Sequence, residues 1–190
     1  MEKLNATANK ILDAAERLTM RRGFNAFSYK DLEQEVGVKT SSIHYHFSTK
    51  QDLAMSLIER YTDVFHNALE QTAENNERGI DQLHALGQIY LAPLSDQRFC
   101  LCGMLSSDMV SLPVEVNDNL SAFFTMIETW VEQAIVLGQQ QQNILPSVKP
   151  KDAASHFLAA LEGGMLIARS YNRPAYLEVV VEEVLSRIAA

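Results

Sequence analysis

Apolar residues recur along this chain at steps of three and four, with no convincing run of strict alternation. Ile11, Leu12, Ala15 and Leu18 share one face of a helix over 7–22. Arg17, Arg21 and Arg22 cluster toward its end, where cations suit the helix dipole, and Gly23 stops it. Ser28 stands directly before YKDLEQEV with Asp31 three residues on, which predicts a capped second helix over 29–36 ending at Gly37. A tight turn at Gly37-Val38 leads into a third short helix that keeps Ile43 and Phe47 on one face. Ser48-Thr49 then offers an N-cap to a long fourth helix from about 50, with Leu53, Leu57, Tyr61, Phe65 and Leu69 at steps of four.

Every later segment also reads as helix: 80–94, broken at Pro93; 99–110, ended before Pro113; and 115–138, ended at Gly138. Four glutamines at 139–142, then Asn143, Pro146 and Pro150, form the clearest polar loop. Two last helices follow, 151–171 and 175–188; the VVV at 179–181 goes to helix because its neighbours are acidic. The expected fold is all-α: an N-terminal three-helix helix-turn-helix domain (1–48) followed by a C-terminal helical bundle (49–190), about nine helices in total.

Composition narrows the function. An apolar fraction of 47% and a charged fraction of 21% belong to a folded globular chain. The N-terminus MEKLNATANK is polar and no run of 18 apolar residues follows, so neither a signal peptide nor a membrane span is expected. Cys100 and Cys102, one residue apart, make no disulfide framework, and a reducing cytoplasm is the expected location. The net charge of −8 hides an asymmetry: residues 1–50 carry eight Lys or Arg against six acids, a net of +2, which leaves −10 on the remainder. A basic head on an acidic body suits a chain that brings one end to a polyanion.

That head contains GVKTSSIHYHFSTKQDL, residues 37–53, crowded with hydroxyls, two histidines and two lysines. Thr40, Ser41, Ser42, His44, Tyr45 and His46 point outward on the third helix, while Ile43 and Phe47 point in. Short hydroxyls at a helix start approach base edges and phosphates closely, and His and Tyr add donors that reach phosphate oxygens. A metal pair at His44-x-His46 is disfavoured because residues two apart on a helix face different sides. No metal or other cofactor is expected. Tyr45 as a second core aromatic is the plainer alternative; unlike Phe47, it has no apolar partner at helical spacing.

Residues 8–60 resemble the DNA-binding region of the TetR family of one-component repressors. The likeness runs through ILDAAERLTMRRGFNAFSYKDLEQEVGVKTSSIHYHFSTKQDL: the paired alanines of the first helix, the RG-F, the G-V turn, the Y-H-F end of the third helix and the following K-x-x-L. The resemblance implies a three-helix DNA reader, then a variable bundle that dimerises through its last two helices and holds a small effector. It places Ser28, Thr40, Ser41, Tyr45, His46 and Lys50 against the phosphate backbone and Ser42 and His44 nearest the bases. Lys39 stands where the family commonly has Ser or Thr. Its charge opposes the helix dipole at a cost on the order of 1 kcal/mol, so either Thr40 is the cap or Lys39 is kept for phosphate.

In the body, Tyr90, Phe99, Cys100, Met104, Phe123, Met126, Trp130 and Tyr171 are candidates to line an effector cavity; most such residues in any bundle are simply core. His66 and His84 are weaker polar candidates, and no charged anchor stands out. Cys100 and Cys102 read first as buried small hydrophobes. The sharper alternative is a redox or electrophile sensor, with Arg98 favouring the Cys102 thiolate if the segment is helical. Ala159, Ala160, Gly163, Gly164 and Ala168 leave a stripe of small side chains, which serves either packing within the chain or dimerisation through Ala160, Gly163, Gly164, Ile167, Leu177, Val181, Val184 and Leu185. An enzyme would need a converging nucleophile, base or metal set; no HExxH, Cys-His motif or glycine-rich phosphate loop is present. The expected partners are double-stranded operator DNA, a small effector and a second copy of the chain, without a membrane. A helix-turn-helix used only for protein contacts remains open at this point.

Overall fold

Capping explains where each of the first helices begins. In the computed structural model, which describes residues 5–190, the Asn5 side chain accepts the N–H of Ala8 at 2.9 Å and opens α1 (Ala6–Arg22). Ser28 and Asp31 form the expected reciprocal box at the head of α2 (Tyr29–Val36), with the Ser28 N–H donating to Asp31 Oδ2 at 2.7 Å. Gly37 ends that helix in the left-handed region (φ 76°), which a residue with a Cβ adopts only at a cost, and its N–H donates to Glu33 O. After α3 (Thr40–His46), Thr49 and Asp52 make a second reciprocal pair at the head of α4 (Lys50–Asn75): Asp52 N–H to Thr49 Oγ1 at 3.1 Å and Thr49 N–H to Asp52 Oδ2 at 2.9 Å.

The remaining elements are α5 (Gly79–Leu91), α6 (Leu101–Ser107), α7 (Val114–Gln140), α8 (Pro150–Ser170) and α9 (Ala175–Ser186), nine α-helices among the described residues. The all-α fold stands. The segments expected at 80–94 and 99–110 are shorter as α-helix because each closes in a tighter 3-10 turn, Ala92–Asp96 around Pro93 and Met109–Ser111 ahead of Pro113. Gly138, expected as a stop, lies inside α7 for a packing reason given below.

Two compact units emerge. The first runs to Asp63 and adds Leu101–Ser121, so it takes in the first half of α4 and all of α6 as well as the three helices expected within 1–48, of which the first four residues lie outside those described. Ile11, Leu12, Phe24, Leu32, Ile43, Phe47, Leu53, Leu57, Leu101 and Leu105 fill its core. Arg60 spans from α4 to Asp13 and Glu16 of α1, at 2.7 Å to each. The Asn25 N–H donates to Asp108 Oδ2 at 3.2 Å and its side-chain amide to Ser111 Oγ at 3.0 Å, which ties the segment after α1 to the end of α6.

The second unit holds Val64–Cys100 and Ala122–Ala190. Its helices approach closely at small residues: a Cβ on Gly87 would meet Val181 at 2.8 Å, and one on Gly164 would meet Leu177 at 2.7 Å. The start of α5 has no side-chain cap of its own, and the polar loop supplies it. Gln141 Oε1 accepts the Gly79 N–H at 3.0 Å and Asn143 Oδ1 accepts the Ile80 N–H at 3.2 Å. That docking brings Gly79 onto α7 beside Gly138. α7 is long and apolar enough to cross a membrane by length and composition, yet Phe123, Ile127, Val131, Ala134 and Ile135 at helical spacing are buried within this unit.

A Cβ on Gly79 would stand 2.2 Å from the Ala134 carbonyl oxygen and 2.4 Å from the Gly138 nitrogen, both backbone atoms that cannot rotate away. Gly79→Ala is therefore expected to destabilise the chain by about 1–3 kcal/mol, read as a lower urea midpoint at unchanged m.

Candidate nucleic-acid interface

Helix α3 has seven residues, and only Ile43 is fully buried within it; its orientation depends on its flanks. Behind it, the Tyr29 hydroxyl reaches Phe47 O at 2.9 Å and Thr49 O at 2.6 Å, the two carbonyls that bracket the turn from α3 into α4. Burial, then the charge of Asp52, pushes the Tyr29 phenol up to about 12. Lys50 completes the bracket from the other side. Its ammonium donates to Phe24 O at 2.6 Å and to Phe27 O, and stands over both rings, 4.7 and 4.4 Å from their centroids. Burial lowers its pKa, opposed by the charges of Asp108 and Asp31.

The head of α3 is capped from a distance. Neither Lys39 nor Thr40 is the cap: Lys39 occupies the N-cap position with no side-chain bond, and Glu33 of α2 accepts both the Thr40 N–H, at 2.9 Å, and the Thr40 hydroxyl. Those two bonds hold the Glu33 carboxyl below the usual carboxylate range. A carboxylate at a helix start is electrostatically favourable, which offsets the local charge of Lys39 and leaves that lysine exposed.

These contacts sort the expected DNA-facing residues. Tyr45 is 82% exposed, its ring set edge-on against His46 at 5.1 Å. Ser41 and Lys39 are exposed, while Ser42 and His46 are half-buried. His44 lies against the Tyr29 ring at 4.7 Å, with Nδ1 3.1 Å from Ser48 O. A carbonyl partner requires the proton on Nδ1, so neutral His44 keeps Nε2 as an acceptor. Three expectations change. Lys50 is turned inward onto carbonyls rather than outward to phosphate. Thr40 is bonded to Glu33, and the Ser28 hydroxyl to Asp31 at 2.6 Å, so both serve helix starts first.

The candidate effector residues do not form one group. Tyr90 and Phe123 share a buried cluster with Phe65, at 5.8 and 5.3 Å between ring centroids. Phe99 and Cys100 are buried in the same unit. Met126 and Trp130 line instead an open groove of about 520 Å³ between α4 and α7, with His66 and Leu69. Met104 belongs to the first unit, facing Gly23, and Tyr171 is 61% exposed against Tyr176 and Arg173. Arg98 lies ahead of α6 and pairs with Asp96 at 3.1 Å, so the helical spacing to Cys102 that the thiolate reading needed does not form. Glu162, absent from the expected set, has both carboxyl oxygens withdrawn from water within α8. Its signal in the sequence was a lone acid inside AALEGGML.

The expected dimer surface is likewise divided. Gly164, Leu177, Val181 and Leu185 are buried within the chain, where the small-residue stripe serves α8–α9 packing. Ala160 and Val184 are half-buried, Gly163 has open space where a Cβ would stand, and Ile167, Leu166 and Val179 are exposed at 37%, 59% and 68%. The outward stripe thus runs through Gly163, Leu166, Ile167 and Val179.

Comparison with known proteins agrees with this geometry. The model for bacterial regulatory proteins of the tetR family matches residues 11–57, and a tetracyclin repressor-like C-terminal domain matches 79–184. The crystal structure of a TetR family transcriptional regulator from Agrobacterium tumefaciens is similar over 97% of this chain and 98% of that one, with a TM-score of 0.93 and 30% identity. Among curated proteins, the biofilm operon icaADBC negative transcriptional regulator IcaR of Staphylococcus epidermidis is 24% identical over 119 residues, 63% of this chain and 64% of that protein. The transcriptional repressor NemR of Escherichia coli is 28% identical over 116 residues, 59% of this chain and 55% of that protein. The chain thus matches between about half and two thirds of the length of these curated relatives.

Tyr29→Phe takes the side-chain donor from the buried Phe47 carbonyl and leaves the Thr49 carbonyl with the Leu53 N–H alone, and is expected to cost about 1–2 kcal/mol at neutral pH. The phenol's pKa is raised in the folded chain, from 10.0 to about 12, so its contribution is complete below pH 10 and is lost as pH rises through about 12. Urea unfolding across pH 9–12 should show the variant's deficit shrinking over that window.

Proposed function

Because this chain belongs to the TetR family of bacterial transcriptional regulators, a family of DNA-binding proteins and not of enzymes, we propose that it is a homodimeric, ligand-responsive repressor that binds a palindromic operator in the cytoplasm. The observation that carries the reading is Tyr45, 82% exposed on a helix whose Ile43 is buried and whose following Phe47 is buried too. The two buried side chains fix the helix so that the Tyr45 ring stands out in water, where its hydroxyl suits a phosphate oxygen. Lys39, Ser41 and His46 join it on the backbone side of the groove, with Ser42 and His44 toward the bases. His44 Nε2, as an acceptor, suits an exocyclic amine of cytosine or adenine.

Two such heads read two half-sites when they fall about one helical turn of DNA apart, roughly 34 Å, or a multiple of it. An effector that prefers another head spacing weakens operator binding by that difference in affinity. Gly163, Leu166, Ile167 and Val179 support a dimer surface on α8 and α9: open space at a glycine and neighbouring apolar side chains allow a second copy to approach closely.

An electrophoretic shift on DNA upstream of the chain's own gene tests the reading directly, and absence of any sequence-preferring complex would overturn it. Lys39→Ala should lower the slope of log affinity against log salt by about 0.9, whereas Lys50→Met should leave that slope unchanged. Ser42→Ala and His44→Ala should alter base preference rather than slope. Ile167→Glu should shift sedimentation from dimer to monomer and abolish tight operator binding while leaving the helical content intact.

A further inference from the structure

A carboxylate buried without a cation requires an explanation, and α8 holds one. Both oxygens of Glu162 are shielded from water and neither makes a hydrogen bond of normal geometry within the chain. The polar groups beside it are the Tyr90 hydroxyl of α5 and the Cys100 thiol, donors close enough to draw its pKa down but outweighed by burial, which raises it. Glu162 forms no ion pair among the described residues, and Arg98, the cation nearest Cys100 in sequence, is paired with Asp96 at 3.1 Å. An amide would accept from Tyr90 and Cys100 equally well without the desolvation cost of a carboxylate. What a carboxylate offers beyond an amide is its charge, and that is useful only to a cation. Tyr90 joins it to an aromatic cluster: Tyr90 packs edge-to-face on Phe65 at 5.8 Å, and Phe65 on Phe123 at 5.3 Å.

We propose that Glu162, flanked by Tyr90 and Cys100, anchors the effector site and selects a ligand carrying a protonated amine on an aromatic body. The inference rests on the reading of the chain as a ligand-responsive repressor. The ammonium meets the Glu162 carboxylate in a charge-assisted hydrogen bond, and the ring packs among Tyr90, Phe65 and Phe123, whose faces also favour the positive charge.

Isothermal titration of the full chain with 2-phenylethylamine, 2-phenylethanol and 3-phenylpropionate tests this. These probes share one ring and differ in charge. The amine is expected to bind more tightly than the other two, and Glu162→Gln to weaken it by about tenfold or more while leaving the alcohol unchanged. Equal binding of all three by the parent chain, or a Glu162→Gln variant that retains amine affinity, overturns the proposal; the parent ranking alone decides the matter if the variant does not fold. An operator shift on the same preparation separates the two readings. DNA binding without amine preference defeats only the anchor, and amine preference without DNA binding defeats only the repressor.

Discussion

Four backbone carbonyls govern the first unit. Those of Phe24, Phe27 and Phe47 lie where the chain turns between helices, and that of Thr49, which already accepts the Leu53 N–H of α4 at 3.2 Å, lies at the same turn. Tyr29 and Lys50 supply the donors from side chains. A buried carbonyl left without a partner costs on the order of 1–3 kcal/mol, comparable to a substantial part of a domain's net stability. The orientation of α3 follows from meeting that requirement: once Phe47 O and Thr49 O are held by one hydroxyl, the helix between Thr40 and His46 can present only one face to solvent. Its seven residues would not hold a helix alone.

The same region shows polar residues divided between two tasks. Ser28, Glu33, Thr40, Thr49, Asp52 and Lys50 are spent on helix starts and carbonyls. Lys39, Ser41, Tyr45 and, in part, Ser42, His44 and His46 remain for a partner. Glu33 connects the two sets. By capping α3 from a neighbouring helix it lets a lysine occupy the N-cap position, where a hydroxyl would ordinarily stand, and so leaves a positive charge exposed at the start of α3.

In the second unit, close helix approach is achieved with glycine and with amide side chains. Gly79, Gly87, Gly138 and Gly164 each adjoin backbone or a branched side chain of a neighbouring segment, and the side-chain oxygens of Gln141 and Asn143 accept the N–H groups of a helix start that has no cap in its own sequence. This division of small residues has a consequence for assembly. Gly164 faces Leu177 inside the chain while Gly163, one residue earlier, faces outward, so adjacent glycines serve different neighbours. The apolar bundle around α5 and α8 is interrupted at Glu162, where burial works against ionisation and the Cys100 and Tyr90 donors work for it.

Periodicity and capping chemistry alone determined much of this protein. The 3.6-residue spacing of Ile11, Leu12, Ala15 and Leu18, the Ser28–Asp31 box and Gly37 located the first three helices to within a residue, because those signals act over four residues or fewer. The exposure of Tyr45 and the burial of Phe47 were legible for the same reason. Where a residue's partner lies far along the chain, the sequence was silent. Glu33 capping α3, Lys50 turned onto Phe24 and Phe27, Gln141 docking on Gly79 and Leu177 filling the space above Gly164 each depend on which segments fold against one another. A lysine, a glutamine or a glycine has the same local preferences whether it faces water or a carbonyl; only tertiary packing, by removing water from one side and supplying a partner on the other, decided which.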